Sequence, residues 1–556
     1  MIDEKADIAV IGAGPAGLSA VIEAAKTGAK VVVYDENLKP GGQLFKQTHK
    51  FFGSKEHLAG VRGFNIAKLL LEDSSSTNVK IKLDTVVTGM YEPTTLELVS
   101  KGKKWKCEAQ AIIVATGAIE NSLAFPGWTM PGVMGAGAAQ TMININRVLP
   151  GKRILMVGSG NVGLIVSYQL MQAGAKVVAI IEAANKIGGY GVHSAKVMRA
   201  GIPIYLSTTI KEANSDPEVQ EATIVKVDQK FRYIEGTEKS LDVDAICIAV
   251  GLSPMTELLN MMGIVVIWDN RLGGHIPLHD EDMMTSRPGI YVAGDVSGIE
   301  EASSAIEEGR LAGVAAAHKI GFINADKAET SKYQIRKRLD ALRSGPFGEI
   351  RKAAKRYLIQ LYKKMDYQNE AIQVQAAVVS IAGKTIENDV HLRGYPTIEE
   401  IKLSGNIPSE ERFKKGPVAI IECVQGIPCN PCEKICPFDA IEIGTPITNL
   451  PLLDSEKCHG CGLCIPGCPG QAVFVVDFSQ EVEYATVKIP WEFLPVPQKG
   501  DIVAAVDRKG KAIGEAVVSN VKYIPECDKT RVVELKVPRN IALDVRSMER
   551  GVKCER

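Results

Sequence analysis

Ala6-Asp7-Ile8-Ala9-Val10-Ile11-Gly12-Ala13-Gly14-Pro15-Ala16-Gly17 runs from an apolar strand through a glycine turn into the start of a helix. Its glycines keep the G-x-G-x-x-G spacing. Gly12 makes the tight turn, Gly14 lets the backbone approach a pyrophosphate, and Gly17 lets helix and strand pack closely. Pro15 and Ala16 open the helix, whose positive end faces the phosphates. The helix extends over 15–28, Gly28 caps it, and Lys30-Val31-Val32-Val33-Tyr34-Asp35 forms the next strand. Asp35 is placed to accept a hydrogen bond from a ribose hydroxyl, with Glu36 as its substitute. The hexapeptide alone is a weak signal; with strand, helix and acid in register it is a dinucleotide fingerprint.

The same order recurs over 152–182. Strand Arg153–Val157 leads into Gly158-Ser159-Gly160-Asn161-Val162-Gly163, a helix to about Gly174, and strand Lys176–Glu182. Glu182 would bind a ribose 2′-hydroxyl and repel a 2′-phosphate, which favours NAD over NADP. The glycines speak only for pyrophosphate fit, so another adenine nucleotide remains an alternative ligand here.

The company of the first fingerprint selects its cofactor. Ala111-Ile112-Ile113-Val114-Ala115-Thr116-Gly117 resembles the ATG strand of two-dinucleotide flavoproteins, and Ile290-Tyr291-Val292-Ala293-Gly294-Asp295 resembles a second strand of that fold. By resemblance, Asp295 serves the ribityl–phosphate region, and Gly41-Gly42-Gln43-Leu44 contacts the flavin. Glu301-Ala302-Ser303-Ser304 then starts a helix aimed at the flavin ring, where its positive end stabilises the anionic reduced form. The resemblance implies FAD.

Of twelve cysteines, Cys423, Cys429, Cys432, Cys436, Cys458, Cys461, Cys464 and Cys468 crowd into one segment, and Cys107, Cys247, Cys527 and Cys554 are scattered. A disulfide scaffold belongs to short exported chains, so the cluster indicates metal ligation. Cys458-x-x-Cys461-x-x-Cys464-x-x-x-Cys468-Pro469 has the bacterial ferredoxin spacing, and Cys423-x5-Cys429-x-x-Cys432-x-x-x-Cys436-Pro437 repeats it with a wider first interval. The fourth cysteine of each run ligates the other cluster. One [4Fe–4S] cluster is therefore assigned to Cys423, Cys429, Cys432 and Cys468, and a second to Cys458, Cys461, Cys464 and Cys436. The wide loop after Cys423 leaves a [3Fe–4S] cluster as an alternative there. Interleaved sets with trailing prolines do not follow a zinc-ribbon layout. His459, beside Cys458, is expected to be exposed or to donate to sulfur.

No Cys-x-x-Cys precedes residue 423, so thioredoxin-reductase-type disulfide chemistry is not expected. The other histidines show no ligand spacing and no base–nucleophile pairing. No catalytic residue for proton abstraction emerges, and the chemistry is left to cofactors.

Length and charge bound the rest. The 556 residues suit three or four domains, and 65 Lys+Arg balance 65 Asp+Glu. A balanced chain has no global field steering it to nucleic acid or anionic membrane. With no apolar run of about 18–20 residues and no signal-peptide pattern at Met1-Ile2-Asp3-Glu4-Lys5, a soluble cytoplasmic protein without a transmembrane segment is expected. Residues 327–364 depart from the balance, with twelve Lys/Arg against three Asp/Glu. Ile335, Leu339, Leu342, Ile350, Tyr357, Leu358 and Leu361 recur there at helical spacing, and Ser344-Gly345-Pro346 divides the stretch into two helices. A solvated connector packing its apolar stripe on the body is the first reading, a dock for an acidic partner the second. Residues 373–420 read as mixed α/β and 483–540 as short strands.

Phe125-Pro126-Gly127-Trp128-Thr129-Met130-Pro131-Gly132-Val133-Met134, followed by Gly135-Ala136-Gly137-Ala138-Ala139-Gln140, makes the likeness specific. The stretch is similar to the flavoprotein subunit of heteromeric amine and imino-acid dehydrogenases. That family includes sarcosine oxidase α, opine oxidase, hydrogen cyanide synthase and archaeal L-proline dehydrogenase. The resemblance implies a partner flavoprotein that oxidises an amine, an imino acid such as proline, or a hydroxy acid. This chain would pass the electrons to NAD, a small ferredoxin-like protein or another external acceptor. The alternatives are a stand-alone NAD(P)H:acceptor oxidoreductase and a component of a glycerol-3-phosphate dehydrogenase complex. The expected fold class is α/β: a Rossmann-like FAD domain (1–125 and 270–325) with an inserted NAD-type domain (126–269). A helical connector (326–415), an α+β ferredoxin-like domain (416–480) and a small C-terminal β domain (481–556) would follow.

Overall fold

A computed structural model describes residues 3–75, 78–214, 217–365 and 388–550. The chain forms two compact units, Met1–Glu120 with Gly251–Lys384 and Asn121–Val250 with Thr385–Arg556.

The first unit is built on a seven-stranded sheet. Glu4–Ile11 lies at its centre, parallel to Val31–Tyr34 on one side and to Lys103–Val114 on the other. Ile290–Val292 also pairs in parallel with the latter strand, Val292 opposite Val114. Val31–Tyr34 is buried at every position, as expected of a parallel strand covered on both faces. Helices Pro15–Ala25 and Ala302–Lys319 approach backbone to backbone. A Cβ on Gly309 would lie 2.0 Å from the Ala16 carbonyl oxygen, and one on Gly313 2.3 Å from that of Ala20. Only glycine allows this contact.

The basic stretch forms helices Ala325–Leu342 and Glu349–Met365, broken around Ser344-Gly345-Pro346. Ala354, Leu358, Leu361 and Tyr362 are buried against Leu272, Ile276 and Leu278 of the same unit. Ile350, assigned to the apolar stripe, is exposed. Several cations turn inward: Lys332 and Arg336 to Asp282, Arg338 to Glu307, and Lys355 to Glu308.

The second unit carries a five-stranded parallel sheet in the order Ile204–Leu206, Lys176–Glu182, Arg153–Val157, Ala245–Ile248, Val133–Gly135. It also holds a seven-stranded sheet that runs from the cysteine segment into the C-terminal strands. Val473–Asp477, which follows Cys468, pairs on one edge with Val418–Ile421 and on the other with Tyr484–Trp491.

Leu252–Pro254 pairs with Ala118–Glu120, which draws residues from 251 onward into the first unit. The segments 416–480 and 481–556, expected as two domains, share ladder hydrogen bonds between Val473–Asp477 and Tyr484–Trp491 and fall in one compact unit. The 326–415 connector is not one element: 325–365 belongs to the first unit and 388–415 to the second. The mixed α/β passage lies outside the described residues up to 387 and then forms three short helices, Val390–Arg393, Ile398–Leu403 and Glu410–Lys414. No helix among the described residues is long and apolar enough to cross a membrane.

Candidate functional site

The first glycine loop is shaped by contacts that leave its mouth open. Gly12 has φ +99°, and a Cβ there would stand 2.4 Å from the Ala115 carbonyl oxygen; on Gly17 it would stand 1.9 Å from that of Gly12. A Cβ on Gly14 would meet nothing within 4 Å. The open side therefore belongs to Gly14 at the helix N-terminus, where a phosphate would sit. Asp35 is buried and already engaged. Its Oδ2 accepts from the Ala13 N–H at 2.7 Å, and its Oδ1 from the Asn37 N–H at 2.8 Å and Asn37 Nδ2 at 2.9 Å. It braces the loop, with lone pairs left for a ribose hydroxyl. Glu36 is exposed, as is Gln43. The Gly41 N–H donates to the Ala13 carbonyl at 2.7 Å, and Gly42 lies against Gly14. The Ala115 N–H bonds the Ile11 carbonyl at 2.8 Å, and Thr116 Oγ1 and the Gly117 carbonyl bond the Met255 backbone, each at 3.0 Å. The structure thus brings Gly12–Gly17, Asp35, Gly42 and Ala115–Gly117 around one opening.

The second loop repeats this construction. A Cβ on Gly158 would be 2.2 Å from the Ala249 carbonyl oxygen and one on Gly163 2.2 Å from that of Gly158, while Gly160 is open. Glu182 Oε2 accepts from the Ser159 N–H at 2.9 Å and from Ser159 Oγ at 2.7 Å. Gly188-Gly189 folds over Gly160 as Gly41-Gly42 does over Gly14, and the Gly189 N–H bonds the Ser159 carbonyl at 2.9 Å. Asn161 Oδ1 accepts the Tyr190 N–H at 2.8 Å, and Val162 is exposed.

Asp295 sits in the short turn Gly294–Ser297, before the helix that Ala302 opens. Burial pushes its carboxyl up to about 7, with Glu308, Glu300 and Glu301 adding to the rise. The sequence reading missed what holds this turn. Buried Glu308 accepts the Gly294 N–H at 3.0 Å and Ser297 Oγ at 2.7 Å, and Lys355 Nζ and Arg343 Nη2 approach its other oxygen at 2.8 and 2.5 Å. Two adjacent carboxylates, Glu307 and Glu308, in a helix otherwise rich in Ala and Gly are the local signal that could have exposed it. His279, buried near the same ions, is held down at about 4 by burial and by Lys355, so it stays neutral at pH 7.

Seven of the eight cysteines come together in two neighbouring groups, Cys436 with Cys458, Cys461 and Cys464, and Cys423 with Cys432 and Cys468. Cys458, Cys461, Cys464 and Cys436 line one cavity with Ala419, Ile441 and Val475. Burial pushes the Cys464 thiol up, and Cys458, Cys461 and Cys436 push it further. Burial likewise lifts Cys423 to about 12 and Cys432 well above the ordinary thiol value, with Cys468 the leading neighbour of each. Cys429 lies just before helix Pro431–Ile435, its N–H bonded to the Ile447 carbonyl at 3.1 Å. Among the described residues no three His, Cys, Asp or Glu side chains form a site for a single metal ion.

Buried thiols such as Cys423, Cys432 and Cys464 stay protonated unless a multivalent cationic centre holds them as thiolates, and backbone donors to sulfur are already in place. The Ala440 N–H points to Cys436 Sγ at 3.3 Å, Ala472 to Cys468 at 3.5 Å, and Ala419 to Cys458 at 3.4 Å. The first two close matching Cys-Pro-x-x-Ala turns, each with a left-handed residue before the alanine, Asp439 at φ 49° and Gln471 at φ 53°. These features fit iron–sulfur ligation. His459 is exposed, its ring 4.2 Å from that of Phe438. Cys107, Cys247 and Cys527 are buried, and Cys554 lies outside the described residues.

A family model described as pyridine nucleotide-disulphide oxidoreductase matches residues 6–309, and one described as the LdpA Fe–S cluster-binding domain matches 425–478. An opine oxidase subunit from Agrobacterium tumefaciens (strain Ach5) is 30% identical over 342 residues, covering 58% of this chain and 68% of that protein. Hydrogen cyanide synthase subunit HcnB of Pseudomonas aeruginosa is 28% identical over 324 residues, covering 54% and 69%. The alpha subunit of sarcosine oxidase from Corynebacterium sp. (strain P-1) is 26% identical over 329 residues, covering 57% of this chain but 33% of that protein.

Proposed function

The chain belongs to the pyridine nucleotide-disulphide oxidoreductase family, and from that premise we propose that it is the FAD- and iron–sulfur-bearing electron-transfer subunit of a multi-subunit dehydrogenase. In this reading a partner flavoprotein oxidises an amine, imino acid or hydroxy acid, and NAD or an external carrier exchanges electrons with this subunit. The observation that carries it is the presence in one chain of a glycine cradle of flavin type and two interleaved four-cysteine sets. The relatives named as subunits support a partner.

When bound, FAD interconverts hydride-equivalent and one-electron chemistry, and the clusters store single electrons. The chain's own residues bind and orient. Gly12, Gly14 and Gly17 admit the pyrophosphate, Asp35 braces their loop, and Glu308 secures the turn that carries Asp295. Cys423, Cys429, Cys432 and Cys468 would hold one [4Fe–4S] cluster, and Cys436, Cys458, Cys461 and Cys464 the other. The second loop, braced by Glu182, would take NAD(H) or another adenine nucleotide. Before residue 423 the cysteines are Cys107 and Cys247, each single and buried, so the two glycine-loop segments hold no residue pair for the disulfide chemistry in the family's name.

Anaerobic purification of the native complex tests the reading. Expected are a co-purifying flavoprotein and flavin bleaching by an amino, imino or hydroxy acid. An isolated chain that NADH alone bleaches rapidly would point to a stand-alone oxidoreductase instead. Cys461→Ser should lower iron content and stop electron delivery while FAD stays bound; unchanged iron would remove the cluster assignment.

A further inference from the structure

Three arginines converge behind the first cysteine set, in the core of the second unit. Glu422, next to Cys423, is buried, and Arg508 and Arg546 both donate to its Oε1, at 2.8 and 2.5 Å through their Nε atoms. The third, Arg199, ends helix Gly191–Arg199 and donates to the Gln471 carbonyl at 3.0 Å. Gln471 closes the Cys468 turn, its N–H on the Cys468 carbonyl at 3.2 Å, and Cys468 is within electrostatic reach of Arg199. The guanidinium groups of Arg199 and Arg546 both lie over the Phe474 ring, at 5.3 and 4.8 Å.

The charges do not cancel. Three buried guanidiniums face one buried carboxylate, and the further acid, Asp544, bonds Arg508 with its side chain 51% exposed. Glu422 Oε2 and Arg546 Nη2 have no hydrogen-bond partner among the described residues. A buried excess of positive charge is costly unless something anionic stands nearby. A four-thiolate iron–sulfur cluster is anionic and gains another negative charge on reduction.

We propose that Arg199, Arg508 and Arg546 are the counter-charge of the cluster held by Cys423, Cys429, Cys432 and Cys468, and that they raise its reduction potential. This rests on the two-cluster reading above. The other cysteine set is served by different cations, Arg412 on the Cys458 carbonyl and Lys488 on the Gly460 carbonyl. The arginine trio therefore acts chiefly on one cluster of the two. Arg199 comes from the nucleotide-binding segment, so that segment helps to set the potential.

The test is a redox titration of the anaerobically purified full chain, both clusters followed by electron paramagnetic resonance. In Arg199→Met one cluster should shift about tenfold toward its oxidised form, which is ~59 mV for a one-electron couple, with the other cluster moved less. Arg199→Lys should keep the wild-type value, and Glu422→Gln should shift the same cluster the opposite way. Unchanged potentials in Arg199→Met with iron retained, or an equal shift in Arg199→Lys, would overturn the proposal. If Arg199→Met loses its iron, Arg508→Met is titrated and judged by the same two outcomes. Wild-type protein without iron and acid-labile sulfide would instead bring down the cluster reading itself.

Discussion

Glu307 and Glu308 are adjacent in sequence and serve different ends. Glu308 turns to the Asp295 loop, whereas Glu307, also buried, meets His57 Nε2 at 3.3 Å, Arg338 Nη2 at 2.8 Å and Arg310 Nη1 at 2.5 Å. Burial pushes the Glu307 carboxyl up, but hydrogen bonds from His57 and Arg338 and the charges of Arg310 and Arg338 outweigh it and hold the group down at about 2. Because the folded value lies below the unfolded one, the stabilisation is complete above pH 4.5, fades as pH falls, and is gone below about 2. Its size is of order 3 kcal/mol. Urea midpoints of wild type and Glu307→Gln should therefore differ most at pH 6 and draw together only as the pH falls to about 2. A gap independent of pH would assign the difference to packing.

At the scale of elements, the contact between helices Pro15–Ala25 and Ala302–Lys319 sets the geometry of the first site. Their interface includes Ala16, Ala20, Gly309 and Gly313, and it ties the helix that follows the first glycine loop to the one that follows the Asp295 turn. A methyl group at 313 must push the helices apart, at a cost of about 1–3 kcal/mol for overpacking. Gly313→Ala should lower the melting temperature and release flavin on gel filtration. Full flavin retention at wild-type stability would mean that the helices shift without disturbing the loop. The same spacing argument ties Gly163 to Gly158 in the second loop, where the motif was legible in the sequence because its steric demands fall within six residues.

For the whole molecule, the sequence order of motifs does not give the grouping. The cysteine segment and the C-terminal strands share a core with the 121–250 segment. Tyr168 meets Phe493 with ring centroids 4.9 Å apart and planes tilted by 59°, Gly470 packs on Val192, and the Gly191 N–H donates to Gln425 Oε1 at 2.7 Å. A chain ending at residue 415 would bare that face, so its soluble yield should collapse. A soluble, cooperatively melting truncation would show that the 121–250 segment needs no cover.

The sequence by itself located both glycine loops, the acids Asp35 and Glu182 at the ends of their strands, the spacing of the eight cysteines, and the two basic helices, whereas the bracing of each glycine loop by its acid emerged only in the folded chain. Each of the former is specified by sterics or ligand spacing over a short run of chain. Tertiary structure alone decided what stands behind them. Lys355 meets Glu308 from 47 residues away and Arg546 meets Glu422 from 124. Such partners carry no spacing rule; they are chosen by which buried charge lies within reach once the apolar faces have closed, since desolvated ions must find a counter-charge wherever the fold delivers one.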